Sequence, residues 1–188
     1  MTYTDLLHTR RSVRNYREDP VPVDLIQEMI HESTLAPSAG NEQPWQFIIV
    51  TDKNLLKAMS DESKRHLLDR IAANPQDYAR KYQGTLEKAS YNVFYNAPCL
   101  VLIGGPAEAK NLVADCALAA CYFMLAVAAR KLGTCWVNLG AEIHDSDMRR
   151  TLGLPDTYQI VAPIIVGHPV TIPSPPTRRK AKILKVIT

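Results

Sequence analysis

None of the four cysteines, Cys99, Cys116, Cys121 and Cys135, forms a CxxC pair, so the sequence points to neither a zinc cluster nor a dithiol redox centre. On one helix Cys116 and Cys121 would point apart, and the thiols read as small buried hydrophobes. The opening MTYTDLLHTR lacks a long apolar run and a small-residue cleavage pattern, which predicts a cytoplasmic chain. Neither GxGxxG nor GxxxxGK(S/T) occurs, so a bound phosphate would depend on side chains and not on a glycine cradle. The five histidines, His8, His31, His66, His144 and His168, have no serine or cysteine partner in a hydrolytic pattern and read as structural or exposed. A net charge of only +3 argues against a nucleic-acid binder. No repeat or low-complexity tract interrupts the chain.

What is present is core-forming sequence. With 188 residues, 46% hydrophobic and 22% charged, the chain can bury a core without disulfide or metal staples, and residues 1–188 read as one domain. Leu25, Ile26, Met29 and Ile30 recur at helical spacing over 22–35, after Pro22 and before Pro37. QFIIVT (46–51) and CLVLIGG (99–105) predict two central strands, and YQIVAPIIVGHP predicts another that ends at Gly167. Residues 53–70 and 76–95 read as exposed helices around the breaker ANPQD, GTCWVNLG as a short extended piece, and DSDMRRTLGLP as a short capped helix. From Cys116 to Ala129 no residue is charged, which predicts a helix buried on every side. That stretch is shorter than the roughly 18 to 20 residues of a membrane span. A second copy of the chain covering part of it, hence a homodimer, is the simpler way to surround it, the alternative being a central helix of a monomeric α+β domain.

Two segments carry the chemistry. RRSVRNY (10–16) sets forked guanidinium donors and a hydroxyl close together at Arg10, Ser12 and Arg14, a donor set for a small anion such as phosphate. Arg178, Arg179 and Lys180 repeat the cationic character in a Pro-rich final stretch, which is unable to form a core and is expected to wrap over something. APSAGNEQPW (36–45) crowds Ser38, Asn41 and Gln43 into a loop between a predicted helix and a predicted strand, with Trp45 entering the core. Such loops on rigid flanks commonly hold ligands.

Taken in order, RRSVRNY, LAPSAGNEQPWQFIIV, YNAPCLVLIGG, DCALAACYFMLAVAARKLGTCW and IIVGHP resemble the FMN-dependent nitroreductase family over nearly the whole chain. The resemblance implies an α+β fold with a central antiparallel sheet flanked by helices, in an intertwined homodimer whose 170–188 extension wraps the partner subunit. It places Arg10 and Ser12 on the FMN phosphate, Arg11 beside them through its backbone, and Arg14 at the N1 and O2 edge of the ring. It brings Ser38 and Asn41, with Pro37 and Ala39 beside them, from the partner subunit. Asn138 and Leu139, with Val137 adjacent, offer backbone N–H groups to the ring. In the tail Arg179, with Arg178 or Lys180 in alternative registers, meets the phosphate. Residues 60–95 have no match to the ring-contacting Asn and Lys of longer members and are assigned to shaping the substrate pocket. The implied activity is hydride transfer from NADH or NADPH through FMN to a small conjugated acceptor such as a nitroaromatic or quinone. Reductive dehalogenation or flavin fragmentation on the same scaffold, a non-catalytic flavin-binding module, and an anion binder without flavin are the alternatives.

Overall fold

The computed structural model describes residues 2–188. Its sheet has four antiparallel strands in the order β1 (Gln46–Val50), β2 (Cys99–Pro106), β4 (Tyr158–Gly167), β3 (Gly133–Trp136). The segment 46–51 is therefore an edge strand and not a central one, whereas 99–105 is central as expected. The cause of the misreading is that both faces of β1 are covered. Phe47 and Ile49 pack into one core cluster, Ile48 and Val50 into the other, so β1 reads as a continuous apolar run despite its open edge.

One face of the sheet carries α2 (Val23–Ser33) and α5 (Leu112–Ala129). α2 forms where the apolar spacing predicts it, burying Ile26 and Met29. Arg130, just past the end of α5, donates to Glu32 at 2.9 Å and ties the two helices together. By length and composition α5 could cross a membrane, but it lies on the sheet and buries Leu112, Cys116, Ala119, Ala120, Phe123 and Val127. It is not buried on every side within one chain. Val113, Leu118 and Tyr122 are exposed, because a sheet and one neighbouring helix can cover only part of a cylinder. Cys121 lies on the same open side, so three of the thiols are buried as expected and this one is not. Burial pushes the Cys99 thiol up to about 12 and Cys116 up to about 11, which leaves both protonated and inert at neutral pH.

The other face is covered by α3 (Lys53–Ala73), whose N-terminus is capped by Asp52 accepting from the Leu55 N–H at 2.7 Å. The expected helix over 76–95 does not form. A 3-10 turn (Tyr78–Tyr82) and a single-turn α4 (Gln83–Leu86) lead into turns that run to Ala97. There the Asn92 side chain accepts from the Phe94 N–H at 2.8 Å, a local bond that competes with helix. Nor is the segment all exposed, since Val93, Phe94 and Ala97 are buried against the sheet. A short α1 (Tyr3–Thr9), not anticipated, is fixed by a capping box between Thr2 and Asp5. The predicted capped helix is α6 (Ser146–Thr151), with Asp145 at its N-cap. From residue 170 the chain is exposed and without regular structure.

Candidate functional site

The arginine-rich opening is laid against the outer edge of β3. Val13 N–H donates to the Thr134 carbonyl at 2.9 Å, and Ser12 pairs with Thr134 in parallel fashion. Gly133 makes this approach possible, for a Cβ there would fall 2.9 Å from the Val13 Cβ. The chain then turns, with the Tyr16 hydroxyl donating to the Val13 carbonyl at 2.7 Å and the Arg17 N–H to the His168 carbonyl at 2.8 Å.

Val13 faces the core, and Cys135 follows Thr134 in β3. Burial pushes that thiol up, while the Arg14 cation, a hydrogen bond with Ser12 and the Arg10 cation act against the rise. Arg10, Ser12 and Arg14 belong to the segment laid along the edge of β3. Arg10 Nη1 also reaches the Met124 sulfur at 3.8 Å, which sets it over the C-terminal half of α5. Arg11 stays beside Arg10. Its Nη1 donates to the Arg10 carbonyl at 2.6 Å, its Nε is buried without a partner, and it lines a cavity of about 150 Å³ with Arg10, Lys131 and Ile172.

The loop at 37–43 is held in an uncommon backbone. Gly40, Asn41 and Gln43 have φ of 59°, 58° and 48°, the left-handed region that Gly and Asn tolerate best. Ser38 Oγ accepts from the Gln43 N–H at 3.0 Å, and Asn41 Oδ1 accepts from Gln43 Nε2 at 3.1 Å. Pro37, Ala39 and Asn41 are exposed and Ser38 is half-buried. The Ala39 N–H donates to Asp115 Oδ1 at 3.0 Å. Asp115 is 3% exposed and its Oδ2 has no partner, so the first turn of α5 tethers this loop. The sequence signal for Asp115 was the single acidic residue heading an otherwise uncharged helix. Met124, beneath Arg10, lies roughly 14 Å further along the helix at about 1.5 Å per residue. Within one chain, then, the loop sits at one end of α5 and the arginines toward the other.

Of the Val137–Leu139 segment, Val137 is buried and its N–H is taken by the Pro163 carbonyl at 2.8 Å. Asn138 and Leu139 open the 3-10 turn Asn138–Ala141, so their N–H groups have no partner within that turn. Arg178, Arg179 and Lys180 lie in the exposed tail and make no ion pair among the described residues. Sequence reasoning missed the aromatic neighbours of Arg14. Its guanidinium stands 5.8 Å from the centroid of the Tyr95 ring, and Tyr91 meets Tyr95 edge-on at 5.9 Å. Burial lifts the Tyr16 and Tyr91 phenols far above the ordinary tyrosine range, so both stay protonated at neutral pH. A cavity of about 520 Å³ between α3 and residues 89–98 is lined by none of the predicted cofactor-binding residues, but by Tyr91, Asn92 and Phe94 of the 60–95 stretch assigned to the substrate pocket. Among the described residues no cluster of His, Cys, Asp and Glu could hold a metal ion.

The Nitroreductase family model matches residues 7–168. A protein of Archaeoglobus fulgidus, named provisionally as an NADH dehydrogenase/NAD(P)H nitroreductase, is 28% identical over 169 residues, 87% of this chain and 83% of its own length. Among solved structures, a nitroreductase with bound FMN from Bacteroides fragilis superposes with a TM-score of 0.83 at 20% identity, covering 99% of this chain and 100% of that one. Iodotyrosine deiodinase bound to FMN and 3-iodo-L-tyrosine superposes with a TM-score of 0.75 at 22% identity, each chain covered to 100%.

Proposed function

The chain belongs to the Nitroreductase family, and from that premise we propose that it is an FMN-dependent oxidoreductase using NADH or NADPH to reduce a small conjugated acceptor such as a nitroaromatic or quinone. The observation that carries this reading is the seating of the segment bearing Arg10, Ser12 and Arg14 on the edge of β3, with Ser12 paired to Thr134 and the Val13 N–H donating to the Thr134 carbonyl at 2.9 Å. That donor set suits a phosphate with an electron-rich ring edge beside it. Arg10 and Ser12 would hold the phosphate, Arg14 the ring, and the open N–H groups of Asn138 and Leu139 the ring's other polar edge. When bound, FMN supplies hydride acceptance and donation, which no side chain here can perform.

The protein's own contribution is electrostatic and positional. Arg14 keeps a fixed positive charge at the ring site, which favours added electron density there. Cys135, the thiol nearest these arginines, is buried with its pKa pushed up, so it stays protonated and serves as no nucleophile.

The site is completed by a second copy. The 37–43 loop cannot reach the arginines of its own chain across α5, and the exposed Val113, Leu118 and Tyr122 of that helix offer an apolar face for an isologous contact. In this reading residues 1–188 are one domain and 170–188 cross the partner. Ile183, Leu184, Val186 and Ile187, all exposed in a single chain, find cover there, and Arg179 or its neighbour Arg178 reaches the phosphate. Four unpaired thiols suit the reducing cytoplasm, and neither nucleic acid nor membrane has a part in the reading.

Purified protein is expected to be yellow, with about one FMN per chain, and to bleach anaerobically on addition of NADH or NADPH. Colourless protein that takes up no added FMN would favour an anion binder. Yellow protein that neither nucleotide bleaches would favour a non-catalytic flavin module. Arg10→Ala should weaken FMN binding by about 1.5 to 3 kcal/mol, the worth of a charge-assisted hydrogen bond, read by fluorescence titration. A panel of nitroaromatic, quinone and halogenated acceptors distinguishes nitroreduction from the dehalogenation suggested by the deiodinase likeness.

A further inference from the structure

Building on the reading of Arg14 as a ring-binding residue, we propose that Tyr95 is its positioning residue, a latch held in place by a strained turn in the segment that links α4 to β2. Tyr95 and Asn96 are consecutive non-glycine residues with φ of 54° and 53°. Asn tolerates that region, but for a bulky aromatic residue it is a true outlier. The turn is kept there by its surroundings. Asn92 Oδ1 accepts from the Phe94 N–H at 2.8 Å, the Asn92 carbonyl from the Tyr95 N–H at 2.9 Å, and the Phe94 carbonyl from the Ala97 N–H at 3.0 Å. From α3, Ser60 Oγ accepts from the Val93 N–H at 2.8 Å, while Val93, Phe94 and Ala97 are buried as anchors.

What this backbone produces is the placement of one ring. Tyr95 presents its ring to the Arg14 guanidinium at 5.8 Å, within reach of a cation–π attraction. Tyr91 braces it edge-on, with the two hydroxyls 3.5 Å apart. Arg14 needs such a partner. It is exposed, forms no ion pair among the described residues, and has only a long 3.5 Å approach to the Ser12 carbonyl. Without the ring its long side chain would be free to leave the site. A strained backbone that is over-determined by its neighbours and ends on a site residue is the arrangement expected where strain serves function.

Three variants test the latch in the full-length protein, each titrated with FMN and followed by the midpoint potential of the bound flavin. Tyr95→Gly relieves the backbone and deletes the ring. It is expected to leave the unfolding temperature without FMN equal or higher, to weaken FMN binding about two- to fivefold, and to lower the potential. Tyr95→Phe keeps the ring and should restore both affinity and potential. Asn96→Gly relieves the adjacent strain with the ring in place and should bind FMN as wild type does. A Tyr95→Gly protein with wild-type affinity and potential overturns the latch while the FMN reading stands. Failure of Tyr95→Phe to restore them also overturns it, by assigning the effect to the hydroxyl. A wild-type protein that takes up no FMN overturns the FMN reading and the latch with it.

Discussion

Gly133→Val is expected to abolish tight FMN binding and to lower the unfolding temperature. The strand that carries Arg10, Ser12 and Arg14 lies on β3 only because position 133 has no side chain, a Cβ there coming within 2.9 Å of Val13 Cβ and Cγ2. Val13 is itself buried, so it has nowhere to retreat, and the strain falls on the Val13 to Thr134 hydrogen bond. Overpacking of this kind costs about 1 to 3 kcal/mol, which in a chain of this size lowers Tm by about 2 to 4 °C per kcal/mol. The loss of function should be larger than the loss of stability. Moving the strand removes Arg10 and Ser12 together, so FMN affinity falls by at least about a hundredfold. Gly133→Ala should show the same two effects, smaller in size. Calorimetry and FMN titration of both variants check this, and a folded Gly133→Val protein with unaltered FMN affinity would show that the strand does not hold the cofactor.

The second large effect is expected from Leu118→Asp. Leu118 is 41% exposed in a single chain, on the same open side of α5 as Val113 and Tyr122. Leu118 is not among the buried residues of α5, so the helix should persist with aspartate there and far-UV circular dichroism should be unaltered. Between two copies, however, it buries an unpaired carboxylate, whose desolvation costs several kcal/mol. The variant should therefore sediment as a monomer and release FMN, because the 37–43 loop of the other copy is gone. A Leu118→Asp protein that remains dimeric and yellow would place the subunit contact elsewhere.

Much of this arrangement was legible in the residues, for reasons specific to each. RRSVRNY announced itself because guanidinium and hydroxyl groups at alternate positions share one side of an extended strand, and the structure lays that segment against the edge of β3. Arg11, one position out of phase, folds back onto the Arg10 carbonyl. The α2 and α5 helices and strands β2 and β4 were readable from apolar spacing. Periodicity does not say which strand is an edge, so β1 was misplaced. The region 76–95 failed because its conformation is set by Asn92 bonding to its own backbone and by anchors from α3, contacts that no local propensity encodes. The left-handed Tyr95 was equally invisible, since nothing about a tyrosine in sequence hints at φ of 54°. Asp115 heads the uncharged run with no motif to mark its role, although its carboxylate is what tethers Ala39.

The central claim is that each FMN site is made by two chains, the arginine strand of one and the 37–43 loop of the other. Co-expression of an Arg10→Ala/Arg14→Ala chain with a Ser38→Ala/Asn41→Ala chain tests it directly, at limiting FMN. Either variant alone should retain little cofactor. In a random mixture half of the dimers pair the two kinds of chain and hold one undamaged site each, so about a quarter of the wild-type FMN content should return. A mixture that binds no more FMN than the two variants separately would contradict the shared site.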